Sequence, residues 1–422
     1  MSEALSSQTN SSVYLRKPAP DPHQADVHSL PDWRSVKTRV PQRVLRERFE
    51  GDIAKAAIDG LASTRPGESA RRLVTRAQGA VIAAGLAILA AAAWRWPFAA
   101  FISFNIFVTL YFISAILFRI WLFAIGRNIP VETPPSGIRR RLADAQLPVV
   151  TILLPLYRDA AALPTLAQAI DRLDYPAHKK DVKLLLEADD AETLAEAERL
   201  CLDRRYETVV IPTRGPRTKP KACNYGLYLA RGELIVIYDA EDLPDPGQLR
   251  TAAERFAEGD STLACVQARL NYYNREENWL TRLFTLEYSL WFDWLLPALQ
   301  RIGAPIPLGG TSNFFRTDIL AEIGGWDPYN VTEDADLGLR LARLGYRVEV
   351  MNSTTFEEAN CRLNNWMRQR SRWLKGYLQT WLVHMRRPQR IIATTGWKGF
   401  FAVQLFVAGN VFSAVINPVM GA

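Results

Sequence analysis

Cysteine and histidine are scarce in this sequence, and neither forms the clusters that structural metal sites need. The 422 residues include four cysteines and four histidines, and no two cysteines stand in a CxxC spacing. Zinc sites and disulfide frameworks depend on such spacings. A zinc module, a histidine-ligated metal and a disulfide-stapled domain are therefore not expected, and a reducing compartment is favoured.

Two glycine-rich nucleotide-binding loops are also missing. The sequence contains neither GxGxxG nor GxxxxGKS/T, which mark dinucleotide-binding domains and P-loop NTPases. A dehydrogenase and a P-loop NTPase are therefore not expected. The net charge of +7 suits nucleic acid, an anionic membrane or a phosphate-bearing substrate, so charge alone does not identify a partner.

Long apolar runs are present, and they predict a transmembrane hairpin within residues 77–126. Gly79–Ala93 and Phe98–Ile125 are almost wholly apolar, with a Trp-Arg-Trp-Pro turn between them. About 20 apolar residues cross a bilayer, and aromatic residues concentrate at its interfaces. The runs lie far from the first residue, so a cleaved signal peptide is not expected.

Arginines lie before and after this hairpin in the sequence. Three lie between residues 71 and 76 and four between 127 and 141, whereas the turn offers only Arg95. The positive-inside rule therefore predicts that both ends of the hairpin are cytoplasmic. Because these charges lie where membrane topology requires them, nucleic acid is not an expected partner.

Residues 1–76 are expected to form a cytosolic N-terminal region. Its Ser- and Pro-rich start is expected to be disordered. The basic stretch near residues 36–48 predicts either a solvated linker, which is slightly favoured, or a helix on the membrane surface.

From residue 147 to about 350, short apolar runs alternate with helical patterns, which predicts an α/β domain with a parallel sheet and right-handed crossovers. The predicted strands are Val149–Leu154, Val182–Leu186, Thr208–Ile211, Leu234–Tyr238 and Leu263–Gln267. The predicted helices are 163–173, 191–202, 219–230 and 246–258.

Three further helices are predicted after the α/β pattern. Residues 277–301 carry a Trp-rich apolar stripe but are too charged to span a bilayer, so they predict an interfacial helix, with an ordinary core helix as the alternative. Residues 361–385 are likewise amphipathic and aromatic, and they predict a second interfacial helix. Residues 398–419 predict a third transmembrane helix, and three spans are few for a channel, so the chain is expected to be the N-terminal part of a longer protein.

Acidic residues end the fourth predicted strand, where ELIVIYDAED places Asp239, Glu241 and Asp242 after a buried run. Ligands of open α/β sheets bind at the carboxyl ends of the strands, and carboxylates are ligands for hard divalent cations. A solvated acidic turn is the alternative, because residues 243–247 have turn chemistry.

Four other stretches fall where the same sheet edge would gather them. PLYRD follows the first strand at 155–159, and EADD follows the second at 187–190. KPKACNYG opens a helix at 219–226, and TED precedes another at 332–334. Each alone is a weak signal, because acidic residues after strands also cap helices, and Asp190 could do only that.

The most specific motif is QRSRW at 369–373. On a helix, Gln369, Arg372 and Trp373 share one face. Arginine can clamp a diphosphate through paired hydrogen bonds, and tryptophan offers an apolar plate for a sugar ring. A basic amphipathic helix that binds lipid headgroups is the alternative.

Together these motifs resemble the processive, membrane-integrated family 2 glycosyltransferases, the group that contains cellulose, chitin, hyaluronan and curdlan synthases. The resemblance covers about residues 147–385. It implies a cytosolic, Rossmann-like GT-A domain over 147–360 of α/β class, a UDP-sugar donor, and Mg²⁺ or Mn²⁺ as the cofactor.

The resemblance also implies residue roles. Asp334, in the motif Thr332-Glu333-Asp334, would be the general base, and Asp239 and Glu241 would hold the metal. Glu241 stands where the family has aspartate, so the second ligand stays open between Glu241 and Asp242, and residues 309–313 take the place of the acceptor loop. The implied substrate-binding residues are Pro155, Tyr157, Asp159, Glu187, Asp189, Lys219, Asn224, Gln369, Arg372 and Trp373.

The implied function is processive, inverting synthesis of a β-linked polysaccharide, preferably a β-glucan, at the cytosolic face of the inner membrane. The expected partners are the UDP-sugar, the growing polysaccharide and the lipid bilayer, with export or regulatory subunits as further candidates. The alternatives are a non-processive membrane glycosyltransferase and a catalytically silent, nucleotide-binding scaffold of an export complex.

Overall fold

The computed structural model describes residues 42–129, 142–200, 202–203 and 205–420. The predicted disorder at the N-terminus falls almost wholly on residues 1–41, which lie outside this part of the chain. The three arginines at 139–141, used for the membrane topology, lie outside it as well. The described residues form an α/β domain joined to long apolar helices.

In the described part of the chain, eight strands form one sheet. The five strands that the apolar runs predict are confirmed, with ends shifted by a few residues. The strands are β1 (Val150–Leu156), β2 (Lys180–Glu187), β3 (Tyr206–Ile211), β4 (Leu234–Ile237), β5 (Leu243–Pro244), β6 (Leu263–Tyr272), β7 (Asn313–Arg316) and β8 (Arg347–Glu357).

The sheet is mixed, so the prediction of a parallel sheet was wrong in part. The strand order is β3-β2-β1-β4-β7-β6-β8-β5. Strand β7 is antiparallel to β4 and β6, and β5 is antiparallel to β8. These two strands are too short to give a periodic signal. Because the other strands run parallel, β1, β2, β4, β6 and β8 all end at one edge, which gathers their carboxyl-terminal residues.

Helices pack on both sheet faces. Successive side chains of a strand point to opposite faces. Ile152 therefore joins a cluster with helices α4 (Leu163–Asp171) and α7 (Gln248–Glu258), whereas Leu153 joins one with α6 (Lys219–Leu229). The helices are α1 (Gln42–Thr64), α2 (Arg76–Arg95), α3 (Pro97–Arg127), α4 (Leu163–Asp171), α5 (Ala191–Arg199), α6 (Lys219–Leu229), α7 (Gln248–Glu258), α8 (Trp279–Ser289), α9 (Leu296–Arg301), α10 (Thr317–Glu322), α11 (Glu333–Arg343), α12 (Leu363–His384), α13 (Pro388–Val403) and α14 (Gly409–Met420).

Three segments in the described part of the chain are long and apolar enough to cross a membrane: Arg76–Arg95, Pro97–Arg127 and Pro388–Ile416. The first two are α2 and α3, the helices predicted for the hairpin, with Trp96 between them. The third combines α13 and α14 with the π-helical turn Gln404–Ala408 that joins them. It begins ten residues before the predicted span at 398.

Helix α3 rests directly on the α/β domain. At Gly126 the two backbones approach so closely that a Cβ atom would lie 2.4 Å from the carbonyl oxygen of Trp294. The Trp294 ring also stacks on Phe123 with 4.7 Å between centroids. The hairpin is therefore packed against the segment that joins α8 to α9, the π-helical turn Leu290–Leu295.

The segment predicted as an interfacial helix forms α8, the π-helical turn and α9. Helix α8 exposes Trp279, Leu283 and Leu286 at helical spacing, and it buries Leu280 and Phe284. This division between two faces is typical of a helix at an apolar–water boundary. Its location at a membrane interface stays a prediction.

Helix α1 belongs to the folded domain over residues 49–64. The basic stretch at residues 36–48, for which a solvated linker is slightly favoured, lies before these residues, and its role stays a prediction. Ala57, Ile58 and Leu61 are buried. The amide nitrogen of Asn224 in α6 donates a hydrogen bond to the carbonyl oxygen of Ala57 at 3.0 Å. The packing contacts come from residues far apart in sequence, which local composition does not report.

Candidate active site

Three predicted site residues meet at the edge where the parallel strands end. Lys219 occupies the first turn of α6, and its ammonium donates to the Asp239 carboxylate at 2.7 Å and to the Gly310 carbonyl oxygen at 2.6 Å. Asp334, in the first turn of α11, lies beside the same loop, because a Cβ atom on Gly310 would be 3.4 Å from its Oδ2. Lys219, Asp239 and Asp334 therefore share one cleft.

Burial and charge set the proton affinities in this cleft. Burial raises the pKa of Asp334 to about 6, and the backbone amide of Ala335 and Lys219 oppose the rise. Burial and the neighbouring Asp334 raise the pKa of Glu333 to about 8. Burial lowers the pKa of Lys219, but Asp239 and Glu333 outweigh it and raise the pKa overall. The cleft thus holds a charged ammonium and carboxyl groups that can exchange a proton near neutral pH.

The two candidates for the second metal ligand have different environments. Asp242 is fully buried and accepts hydrogen bonds from the Asp239 amide at 2.7 Å and from the Thr311 hydroxyl group. It thereby ties the end of β4 to the loop before β7. Glu241 is exposed at the mouth of the cleft, where partial burial and then Asp239 raise its pKa to about 7. Glu241 is the accessible carboxylate of the two.

The PLYRD and EADD segments lie side by side. Arg217 donates to an Asp189 carboxylate oxygen at 2.9 Å and to the Tyr157 hydroxyl group at 3.4 Å. The Arg158 guanidinium lies 5.2 Å from the Tyr157 ring centroid. The sequence interpretation missed Arg217, although its position two residues before the KPKACNYG helix could have indicated it.

Asp190 joins the same two segments through the backbone. Its carboxylate accepts the Arg158 N–H at 2.5 Å and the Thr193 N–H at 3.2 Å. Arg158 has a φ of 59°, which non-glycine residues seldom adopt. Asp190 therefore caps α5, as the capping alternative predicts, and also holds the turn after β1.

Two predicted substrate-binding residues are buried and bonded inside the protein. Glu187 pairs with Lys221 at 2.8 Å. The Asn224 side chain bonds the backbone of Ala57 at 3.0 Å and that of Trp326 at 2.8 Å. These contacts give Glu187 and Asn224 structural roles and do not support direct substrate contact. Of the two predicted residues on α6, Lys219 is the one that bonds Asp239.

The two remaining predicted residues of the PLYRD segment, Pro155 and Asp159, have different surroundings. Pro155 lies within β1, in register with Leu185 of β2. The Asp159 carboxylate accepts the Tyr157 N–H at 3.4 Å. Its charge contributes to the raised pKa of Glu241, so Asp159 lies near the acidic tip of β4.

The three predicted residues of the QRSRW motif do not act as one free face. The side-chain Oε1 of Gln369 accepts a hydrogen bond from the side-chain amide of Asn360 at 3.0 Å. Trp373 packs 6.1 Å from Phe284, centroid to centroid, and lies under the Arg370 guanidinium. Arg372 alone is exposed. Helix α12 therefore uses Gln369 and Trp373 for packing in this structure and leaves Arg372 accessible.

Helix α12 reaches the TED segment within two turns after Trp373, at Gly376 and Thr380. Asn330 donates to the Thr380 hydroxyl group at 2.9 Å. Burial raises the pKa of Tyr377, and the negative charge of Asp334 adds to the rise. The helix that carries the QRSRW motif is therefore fixed to the segment that carries the predicted base.

Gly376 makes the closest approach between these two elements, which leads to a prediction. In Gly376→Ala the new Cβ atom would lie 2.4 Å from Thr332 Cγ2 and 2.7 Å from the Thr332 backbone nitrogen. Such overpacking is expected to destabilise the fold by about 1–3 kcal/mol, and it also displaces Asp334. Thermal unfolding in detergent measures the first effect and sugar transfer the second.

A matched control is Gly51→Ala on α1, where a Cβ atom meets no neighbour within 4 Å. Alanine has the higher helix propensity by about 1 kcal/mol, so this variant should keep or raise the melting temperature. Equal melting temperatures for the two variants would contradict the close packing of Gly376 against Thr332.

A cavity of about 760 Å³ opens at the opposite edge of the sheet, where β1 and β4 begin. Its lining includes Gly232, Glu233 and Arg316, and it includes none of the predicted site residues. The cleft at Asp239 is marked instead by its chemistry, the Lys219–Asp239 ion pair with Asp334 beside the same loop.

Comparisons with known proteins agree with the chemistry of this cleft. Residues 234–421 match the sequence model of the family described as "Glycosyl transferase family group 2". A probable glycosyltransferase of Bacillus subtilis is 26% identical over 241 residues, which are 55% of this chain and 56% of that protein. A beta-monoglucosyldiacylglycerol synthase of Nostoc sp. is 29% identical over 244 residues, 56% of this chain and 50% of that protein. This chain thus spans about half the length of these relatives.

A solved structure shows the same fold. A mannosyltransferase from Pyrobaculum calidifontis, in complex with GDP-Man and Mn²⁺, superimposes with a TM-score of 0.51 at 18% identity. The match covers 74% of this chain and 90% of that one. The sequence matches show that residues 234–421 resemble the family 2 glycosyltransferases, and the solved structure shows that the α/β domain of this chain has a GT-A-like fold.

Proposed function

We propose that this protein transfers a hexosyl group from a UDP-sugar to a hydroxyl acceptor at a membrane surface, with inversion at the anomeric carbon. The observation that carries the proposal is the meeting of Lys219, Asp239 and Asp334 at one edge of a glycosyltransferase sheet. The three segments that could span a membrane support a location at the bilayer.

In the proposed mechanism Asp334 removes the proton of the acceptor hydroxyl group. The acceptor oxygen forms a bond to the anomeric carbon as the bond to the UDP oxygen breaks, and UDP leaves with the electron pair. Lys219 and Arg372 are the cationic side chains proposed to stabilise the charge that develops on the diphosphate. A single displacement of this kind inverts the anomeric centre.

The residues present fit a divalent cation. Asp239 and the exposed Glu241 offer the carboxylate oxygens that Mg²⁺ and Mn²⁺ prefer. Such a cation would add positive charge beside the diphosphate. In the described residues no three acidic, histidine or cysteine side chains already lie close enough to hold an ion, so the donor or side-chain movement must complete the site.

The pKa of Asp334 leads to a prediction about pH. A general base works only when it is deprotonated, and burial raises the pKa of this one to about 6. Transfer is therefore expected to rise with pH through about 6 and then to level off. The adjacent Glu333 makes the pair titrate jointly. The kcat/KM for labelled donor, measured from about pH 5 to about pH 8, checks this. A kcat/KM that decreases as the pH rises from about 5 to about 6 contradicts Asp334 as the base.

For the product, we propose a β-linked polysaccharide, with a β-glucan favoured, made processively and passed toward a membrane channel. The exposed stripe of α8 and the half-buried Trp373, which packs on the same helix, would line the path of the growing chain. Export or regulatory subunits would then be candidate partners. The second candidate is a single transfer to a lipid acceptor, which the 29% identity to a beta-monoglucosyldiacylglycerol synthase favours.

The product itself tests both candidates. Membranes that contain the protein are incubated with each labelled UDP-sugar, and the product is separated by size and digested with linkage-specific glycanases. A long, glycanase-sensitive product supports polymerisation, whereas a label that moves with one lipid supports single transfer. Absence of UDP release from every donor, with Mg²⁺ or Mn²⁺ present, would leave the silent scaffold as the better explanation.

A further inference from the structure

The end of β8 brings an unpredicted carboxylate to the acidic tip of β4. Strands β5 and β8 are antiparallel, with Leu243 opposite Phe356 and Pro244 opposite Thr355. Continuing this register by one residue places Glu357 beside Asp242. Glu357 is the last residue of β8 and lies at the edge where β4 delivers Asp239.

The carboxylates at this edge outnumber the positive charge that faces them. The negative charges of Asp242, Asp239 and Glu241 act on Glu357, and Lys219 is the cation that opposes them. Several carboxylates with one ammonium form an unbalanced cluster, and a divalent cation would relieve the imbalance.

Asp242 gives an independent indication. Its side chain is fully buried, and its Oδ1 has no hydrogen-bond partner. Its Oδ2 accepts the Asp239 amide at 2.7 Å. An unpartnered buried carboxylate oxygen is costly, and positive charge brought into the cluster would lower that cost.

We propose that Glu357 is a further carboxylate of the cation site, beside Asp239 and Glu241. Asp242 would hold the backbone of Asp239 in place through its hydrogen bond to the Asp239 amide. This inference rests on the proposed function, because it extends the cation site of that reaction. Among the described residues these carboxylates do not lie close enough together to hold an ion, and Lys219 is bonded to Asp239. Cation binding therefore requires Glu357 and its neighbours to adjust their side chains.

Mn²⁺ binding to the purified full chain in detergent tests the proposal without any sugar transfer. The loss of the electron paramagnetic resonance signal of free Mn²⁺ reports binding, and the titration is run with and without UDP. Glu357→Gln removes the negative charge of the side chain. Glu357→Asp keeps the charge but shortens the side chain by one methylene group, which moves the carboxylate oxygens away from the site. Glu358→Gln is the matched control. Glu358 is the next residue, exposed and bonded to the Tyr273 hydroxyl group at 3.2 Å.

Both Glu357 variants are expected to bind Mn²⁺ at least about tenfold more weakly, and the control is expected to stay within about threefold because its charge is screened by solvent. If Glu357→Gln binds Mn²⁺ as tightly as the control does, the proposal is overturned. An unchanged Mn²⁺ affinity in Glu357→Asp also overturns it, because Glu357 would then act only as a distant charge. Absence of Mn²⁺ binding by the unsubstituted protein also overturns it. Weakened Mn²⁺ binding in a protein that transfers no sugar would support the cation site and reject the proposed function.

Discussion

Asp334→Asn is expected to reduce sugar transfer by about 10²- to 10⁴-fold, the range that a positioned general base contributes. Asparagine keeps the size of the side chain but cannot accept the proton of the acceptor hydroxyl group. Asp334 lies at the start of α11 beside Gly310, and burial raises its pKa to about 6. Release of UDP from labelled UDP-sugar measures the rate.

UDP binding distinguishes a lost base from a lost fold. The UDP affinity of Asp334→Asn is expected to stay within about threefold of the unsubstituted protein, because the base contacts the acceptor and not the nucleotide. Glu192→Gln, an exposed carboxylate on α5, serves as the surface control and should keep full activity. Normal turnover by Asp334→Asn would refute the assignment of the base.

Arg372→Ala is expected to lower kcat by about 10²- to 10³-fold, as removal of one charge-stabilising donor does in other enzymes. The side chain is exposed on α12, whereas its motif neighbours Gln369 and Trp373 are engaged in packing. An accessible guanidinium can form paired hydrogen bonds with a diphosphate. Steady-state kinetics with the preferred donor give kcat and KM separately.

Arg368→Ala is the matched control, because Arg368 is an exposed arginine on the same helix one turn earlier. If α12 only binds anionic lipid headgroups, both variants should lose membrane affinity equally and keep the same kcat in detergent. If Arg372 serves the diphosphate, only its variant should lose kcat. Equal kcat values would therefore reject the diphosphate role and favour the lipid alternative.

The relation between the motifs and the site is uneven. The helix start at 219 and the strand tip at 239 meet as expected, because both lie on elements that end or begin at one sheet edge. Asn224 and Glu187 occupy motif positions that predict substrate binding, yet their polar atoms are bonded within the protein. Arg217 and Glu357 were missed, since neither stands in a motif and each reaches the site through distant contacts.

The sequence by itself determined the apolar helices, the five predicted strands β1, β2, β3, β4 and β6, and the position of the acidic strand tip. These features depend on local composition and on the alternation of side chains along one element. Only the tertiary structure decided the antiparallel placement of β5 and β7, the packing of α1 and the separation of exposed Glu241 from buried Asp242. Those features depend on strand register and on hydrogen bonds between residues far apart in the chain, and one-dimensional patterns do not encode either.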